Sequence, residues 1–189
     1  MKRILIICSV MILAVSLSYP AVLTGGIGVG LGTVADSDLG DVYGSGFVLN
    51  PYLCYGISDQ FAIGIGYEAG YKKDGEVGLF NDPAELKISG FQLFAEYRFT
   101  GKKLVPYLKL GYGNYTVKNS FETEVLKQYN FSKTGSGILI GAGGKYPLSD
   151  NFSLTGEIGY LMLKVKPFAN SINAGGFRLL IGLAVDFNI

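Results

Sequence analysis

Phe177-Arg-Leu-Leu-Ile-Gly-Leu-Ala-Val-Asp-Phe-Asn-Ile189 is the stretch that decides the fold. Phe177, Leu179, Ile181, Leu183, Val185, Phe187 and Ile189 share one parity. Arg178, Leu180, Gly182, Ala184 and Asp186 share the other. Successive side chains of a strand point to opposite faces, so this is a strand with one wholly apolar face and one face that carries charge.

Seven upstream segments repeat the pattern. Ile27, Val29 and Leu31 alternate with Gly26, Gly28, Gly30 and Gly32. Phe47, Leu49, Leu53, Tyr55 and Ile57 form the second set. Phe61 to Ala69 interleave with Ala62, Gly64, Gly66 and Glu68. Phe91, Leu93, Ala95 and Tyr97 oppose Gln92, Phe94, Glu96 and Arg98. Leu108, Leu110 and Tyr112 oppose Tyr107, Lys109 and Gly111. Ile138, Ile140 and Ala142 oppose Leu139, Gly141, Gly143 and Lys145. Phe152, Leu154, Ile158 and Tyr160 oppose Ser153, Thr155 and Glu157. No long segment shows helical spacing. Pro51, inside the second segment, removes a ladder donor and predicts broken pairing there.

The connectors alternate too. Tight turns follow the second, fourth and sixth segments, at residues 58–60, 100–103 and 148–151. Longer polar connections follow the others, at residues 35–44, 72–87, 119–134 and 166–174. Short turns at one end and long loops at the other are the layout of an outer-membrane barrel, with the loops outside. The pattern predicts an all-β fold: an eight-stranded antiparallel up-and-down transmembrane β-barrel over residues 19–189.

Charge decides which face meets lipid. Glu68, Glu96, Arg98, Lys109, Lys145, Glu157, Arg178 and Asp186 all lie on the glycine-rich face. A charge on the lipid face near the bilayer midplane costs about 2–4 kcal/mol, so this face points inward. The eight groups form a balanced lumen charge network in which Arg178 and Arg98 are the expected centres, with Glu96, Glu157 and Asp186 as acceptors. The apolar face points to lipid. Aromatic residues sort to its ends, with Tyr55, Phe61, Tyr97, Phe99, Tyr146, Phe152 and Phe187 near the short turns. Phe47, Tyr67, Tyr71, Phe91, Tyr112, Tyr160 and Phe177 lie near the long loops, giving two girdles.

The first residues read as an export signal. Lys2 and Arg3 precede an apolar run over residues 4–17, and Ser16 and Ser18 place small residues where a signal peptidase reads. Cleavage after Ser18 is expected, giving a signal peptide over residues 1–18. Removing Lys2 and Arg3 from 16 basic residues leaves 14 against 15 acidic ones, a net charge of about −1. That is no footprint for nucleic acid. Cys8 lies inside the apolar run behind Ile7, which is wrong for lipidation, and leaves Cys54 as a lone, inward-facing thiol.

The sequence has no histidine. Imidazole-dependent catalysis and His-ligated metal sites are therefore excluded. The run over residues 26–32 imitates a dinucleotide fingerprint, but no βαβ unit follows and strand parity explains its glycines. Residues 141–145 imitate a phosphate loop, but Tyr146 stands where Ser or Thr is required. No cofactor, metal or catalytic residue is expected, and the protein reads as a non-enzyme.

On the Ser-Asp-Asn-Phe-Ser-Leu turn at residues 149–154 and the terminal strand at residues 182–189, the chain resembles the small eight-stranded outer-membrane barrels of the OmpA/OmpX-like family. It ends in Ile189, with Phe187 as its last aromatic, where family members usually end in Phe. The resemblance implies a Gram-negative-type outer membrane and insertion by the barrel-assembly machinery; because the last strand ends the chain, no peptidoglycan-binding domain is expected after the barrel. The resemblance also implies roles in surface interaction or envelope integrity, with the long loops as the surface for an extracellular partner. The alternative reading is a narrow porin-like channel for small solutes or ions. Paired lumen charges close the path; unpaired ones leave it wet.

Overall fold

The computed structural model describes residues 22–77, 82–101, 103–168 and 171–188. The expected signal peptide, residues 1–18, lies outside them. In chain order the elements are β1 (Val22–Thr33), α1 (Ser37–Tyr43), β2 (Ser45–Gly56), β3 (Phe61–Val77), β4 (Asp82–Arg98) and β5 (Val105–Phe121). A short 3-10 turn (Lys127–Tyr129) leads to β6 (Phe131–Pro147), β7 (Phe152–Val165), the two-residue β8 (Ile172–Asn173) and β9 (Gly176–Asn188). Neighbours from β1 to β7 pair antiparallel, β7 pairs with β9, and β9 returns to β1. Eight strands thus close a barrel, while β8 pairs only with the tip of β7. Closure leaves none of the eight wall strands as a sheet edge. No helix among the described residues is long and apolar enough to cross a membrane; the strands do the crossing.

The two Ser-Asp turns close identically. The Ser58 and Ser149 hydroxyls accept from the amides of Phe61 and Phe152, at 3.1 and 3.2 Å. Leu23 and Phe187 lie opposite one another at this same short-turn end, which faces the periplasm by the outer-membrane rule. Leu93, Leu110, Ile181 and their neighbours expose about half or more of their surface around the outside of the wall. Phe61, Tyr97 and Phe99 pack edge to face in one girdle; Tyr67–Phe91 and Tyr160–Phe177 pairs build the other.

The long connections differ from their reading as loops. Residues 72–87 are mostly strand: β3 and β4 run on to Val77 and Asp82, and β5 and β6 likewise extend to Phe121 and from Phe131. The physical reason is a change of parity. Within lipid the apolar set of β4 is Phe91, Leu93 and Ala95, facing out. Beyond Gly90 it is Ala84, Leu86 and Ile88, all buried inside. β5 switches from Leu110 and Tyr112 outside to Tyr115 and Val117 inside, and β7 carries Leu161, Leu163 and Val165 inside. Above the membrane the wall stands in water, so its apolar face turns to the interior. Tyr71, placed in the outer girdle by sequence parity, is fully buried in this upper core.

Tyr71 changes face because of a bulge. Glu68 opposes Gly90 and Tyr71 opposes Ile88, so β3 carries one extra residue there. Gly70, at φ +118°, supplies the backbone conformation. Pro51 sits in the part of β2 that loses register with β3 between Phe47 and Tyr52, while it keeps its place opposite Ile27 of β1. Gly70→Ala should cost about 1–2 kcal/mol, because a Cβ disfavours positive φ. The urea midpoint of the folded barrel in detergent is the measurement, and an unchanged midpoint would count against a bulge held by glycine.

The top is capped by α1. The Asp36 side chain accepts from the Leu39 amide at 3.4 Å as its N-cap. Tyr43 donates to Asn119 Oδ1 at 2.6 Å from a buried position. Burial pushes its hydroxyl up to about 12, so it stays protonated as a donor. The Ala35 and Asp36 amides donate to the carbonyls of Gly175 and Asn173, joining the first connection to the last.

Candidate functional site

The lumen holds the charged groups in four ion pairs. Arg178 donates from Nε and Nη2 to Glu68 Oε1 at 3.3 and 3.2 Å, and from Nη1 to the Thr33 carbonyl at 2.8 Å. Both partners are almost fully buried. Gly32 makes the space: a Cβ there would stand 2.9 Å from Arg178 Cδ. Lys109 meets Glu157 at 2.8 Å, and the Tyr107 hydroxyl donates to the same oxygen at 3.1 Å. The Lys109 ammonium also lies 4.5 Å from the centre of the Phe94 ring and 5.4 Å from that of Tyr52, a cation–π contact on each. Lys145 reaches both oxygens of Asp186 at 2.7 and 2.6 Å, and Thr24 donates to the first of them. Arg98 donates to Glu96 at 3.3 Å and to the buried Cys54 sulfur at 3.4 Å.

Each of the eight charged residues stands in a pair; Arg98 takes an expected acceptor, Glu96, and the other three pairs differ from the expected ones. Arg178 takes Glu68, which was outside the expected acceptors. Glu157 and Asp186 go to lysines, Lys109 and Lys145. Arg178 is the upper end of the network, Lys109 its middle, and Arg98 and Lys145 share its base. Tyr107, Tyr52, Phe94 and Thr24 were missed as members; inward parity was their only signal. A cavity of about 20 Å³ lies among Thr24, Tyr52, Cys54, Glu96, Arg98 and Lys145, room for about one water. Above the three lower pairs lie a Tyr115–Gln92 hydrogen bond at 3.0 Å, the Arg178–Glu68 pair and the apolar upper core.

Motifs that imitate nucleotide sites are wall. Residues 26–32 form part of β1, and Lys145 of residues 141–145 points inward to Asp186. In the long connections, Phe121 and Phe131 pack against the upper core, while Val125, Tyr129 and Phe168 stay exposed. Leu79 and Phe80 lie outside the described residues.

A family model described as outer membrane protein beta-barrel domain matches residues 5–187. The chain belongs to this family. It is a bacterial outer-membrane protein, and its eight-stranded transmembrane barrel is the family fold. Solved outer-membrane proteins are similar to it in structure. Neisserial surface protein A (NspA) superimposes at TM-score 0.66 with 16% identity, over 89% of this chain and 100% of that one. OprG from Pseudomonas aeruginosa gives 0.68 and 15%, over 90% and 97%. Ail, the attachment invasion locus protein of Yersinia pestis, solved with the heparin analogue sucrose octasulfate, gives 0.60 and 14%, over 89% and 100%. No curated protein matches the sequence.

Outside the membrane, the family barrel presents a charged outer wall. Lys72 and Glu85 pair across β3 and β4 at 2.9 Å. That hydrogen bond holds the Glu85 carboxyl below its usual range; the charges of Lys72, Lys118 and Lys87 act in the same direction.

Proposed function

We propose that this outer-membrane barrel is a non-enzymatic envelope protein with a closed, charge-filled lumen, whose extracellular wall and loops serve surface interaction or envelope integrity. The carrying observation is the lumen itself: four ion pairs, three of them beside Tyr52, Phe94 and Tyr107, with a packed apolar core above those three. An eight-stranded barrel has an interior just wide enough for side chains to fill. A conducting path needs continuous water, and paired charges below an apolar core offer none. Loops on a rigid scaffold are where binding functions collect, and α1 with the 3-10 turn gives these connections fixed shape. Lipid surrounds the wall, and the barrel-assembly machinery inserts it.

The lumen is tested by planar-bilayer recording of the purified barrel. Little or no steady conductance is expected. Stable ohmic channels whose selectivity changes in Lys109→Gln would replace this reading with that of a narrow channel for small solutes or ions.

A further inference from the structure

The outer wall above the girdle is layered by charge. Phe91 marks the girdle on β4. Two residues further out, Ser89 opposes Thr116, and Thr116 opposes Thr134, forming a row of hydroxyls. Two residues beyond that, Lys72 opposes Lys87 and Lys87 opposes Lys118, three lysines abreast on β3, β4 and β5. The next row outward is acidic, with Asp74 opposite Glu85.

Like charges directly opposite each other weaken a sheet. Lys72 has Glu85; among the described residues neither Lys87 nor Lys118 forms an ion pair. Four residues of a tilted strand place the lysine row about 10 Å beyond Phe91. The headgroup layer is about 5–8 Å deep per leaflet. Long lysine stems reach back several ångströms toward it. The order also matters. Bases lie on the membrane side and acids on the water side, which suits a negative membrane surface and not a soluble polyanion approaching from water.

We propose that Lys72, Lys87 and Lys118 hold the phosphate of an anionic outer-leaflet lipid, with the Ser89, Thr116 and Thr134 hydroxyls bonding to the rest of its headgroup. The proposal rests on outer-membrane placement with the long connections outside, and is independent of whether the lumen is closed.

The test uses the full barrel in neutral detergent with a bisphosphorylated glucosamine-disaccharide lipid as probe. A lysine near an anionic surface contributes about fivefold to binding, so Lys87→Gln/Lys118→Gln should bind roughly 25-fold more weakly and Lys118→Gln alone about fivefold. Lys103→Gln/Lys166→Gln, the same charge change elsewhere, should bind like wild type. Without lipid, the double variant should melt at the wild-type temperature or above, since it loses opposed like charges. The dephosphorylated lipid should bind wild type and double variant alike, and inorganic phosphate should not displace the probe. Equal binding of the probe by wild type and double variant overturns the site. Displacement by inorganic phosphate overturns the lipid as its occupant.

Discussion

Arg178→Met should lower the stability of the folded barrel by about 3–5 kcal/mol, because it strands Glu68 in a buried site. Arg178 is 2% exposed and Glu68 4% exposed, so neither charge has bulk water as a substitute partner. The Arg178 Nη1 bond to the Thr33 carbonyl is lost as well, at the point where β1 ends. Removing both charges tells the cost of stranding from the worth of the pair. Arg178→Met/Glu68→Gln should recover a large part of the loss, since a buried pair replaced by uncharged groups is often nearly neutral. The chain has no tryptophan, so urea unfolding in detergent is followed by far-ultraviolet circular dichroism and by the mobility of the folded band. A double variant as unstable as the single one would mean that Arg178 acts through packing and its carbonyl contacts, not through Glu68.

Gly64→Val should give little or no folded barrel. A Cβ at Gly64 would stand 2.5 Å from Phe94 Cζ, 2.6 Å from Cys54 Cβ and 2.6 Å from the Leu53 carbonyl oxygen. The ring could move; the Leu53 carbonyl belongs to the β2–β3 ladder and cannot move without opening it. Displacing Phe94 also removes the ring beneath the Lys109 ammonium and disturbs its pair with Glu157. Overpacking costs about 1–3 kcal/mol where side chains alone must yield, and more where backbone resists. The measurement is the fraction of protein that runs as a heat-modifiable band after refolding into detergent. A wild-type fraction would show that β2 and β3 have more freedom at this level than their register implies.

Much of the fold was legible because lipid acts on each strand separately. Any strand crossing the membrane must show apolar side chains on one parity whatever its neighbours are, so residues 177–189 declare their faces alone. The same holds for the inward direction of Glu68, Glu96, Arg98, Lys109, Lys145, Glu157, Arg178 and Asp186. The absence of histidine is likewise a property of composition, and it closes imidazole chemistry whatever shape the chain takes.

Three things were settled only in three dimensions. The strands of the upper wall were hidden because their parity inverts where lipid gives way to water, so Ala84, Leu86 and Ile88 break the pattern that identifies Phe91, Leu93 and Ala95. Tyr71 turned inward because one extra residue at the Gly70 bulge flips every later side chain of β3. The partners of the lumen charges depend on strand tilt and stagger around the closed barrel. Those quantities place Arg178 of β9 against Glu68 of β3, 110 residues away and on a strand that is not its neighbour. Sequence alone determined which side of the wall the eight membrane-level charges take, because that is a local cost of solvation. Tertiary structure decided which charge meets which, because that is a distance across a lumen no single strand contains.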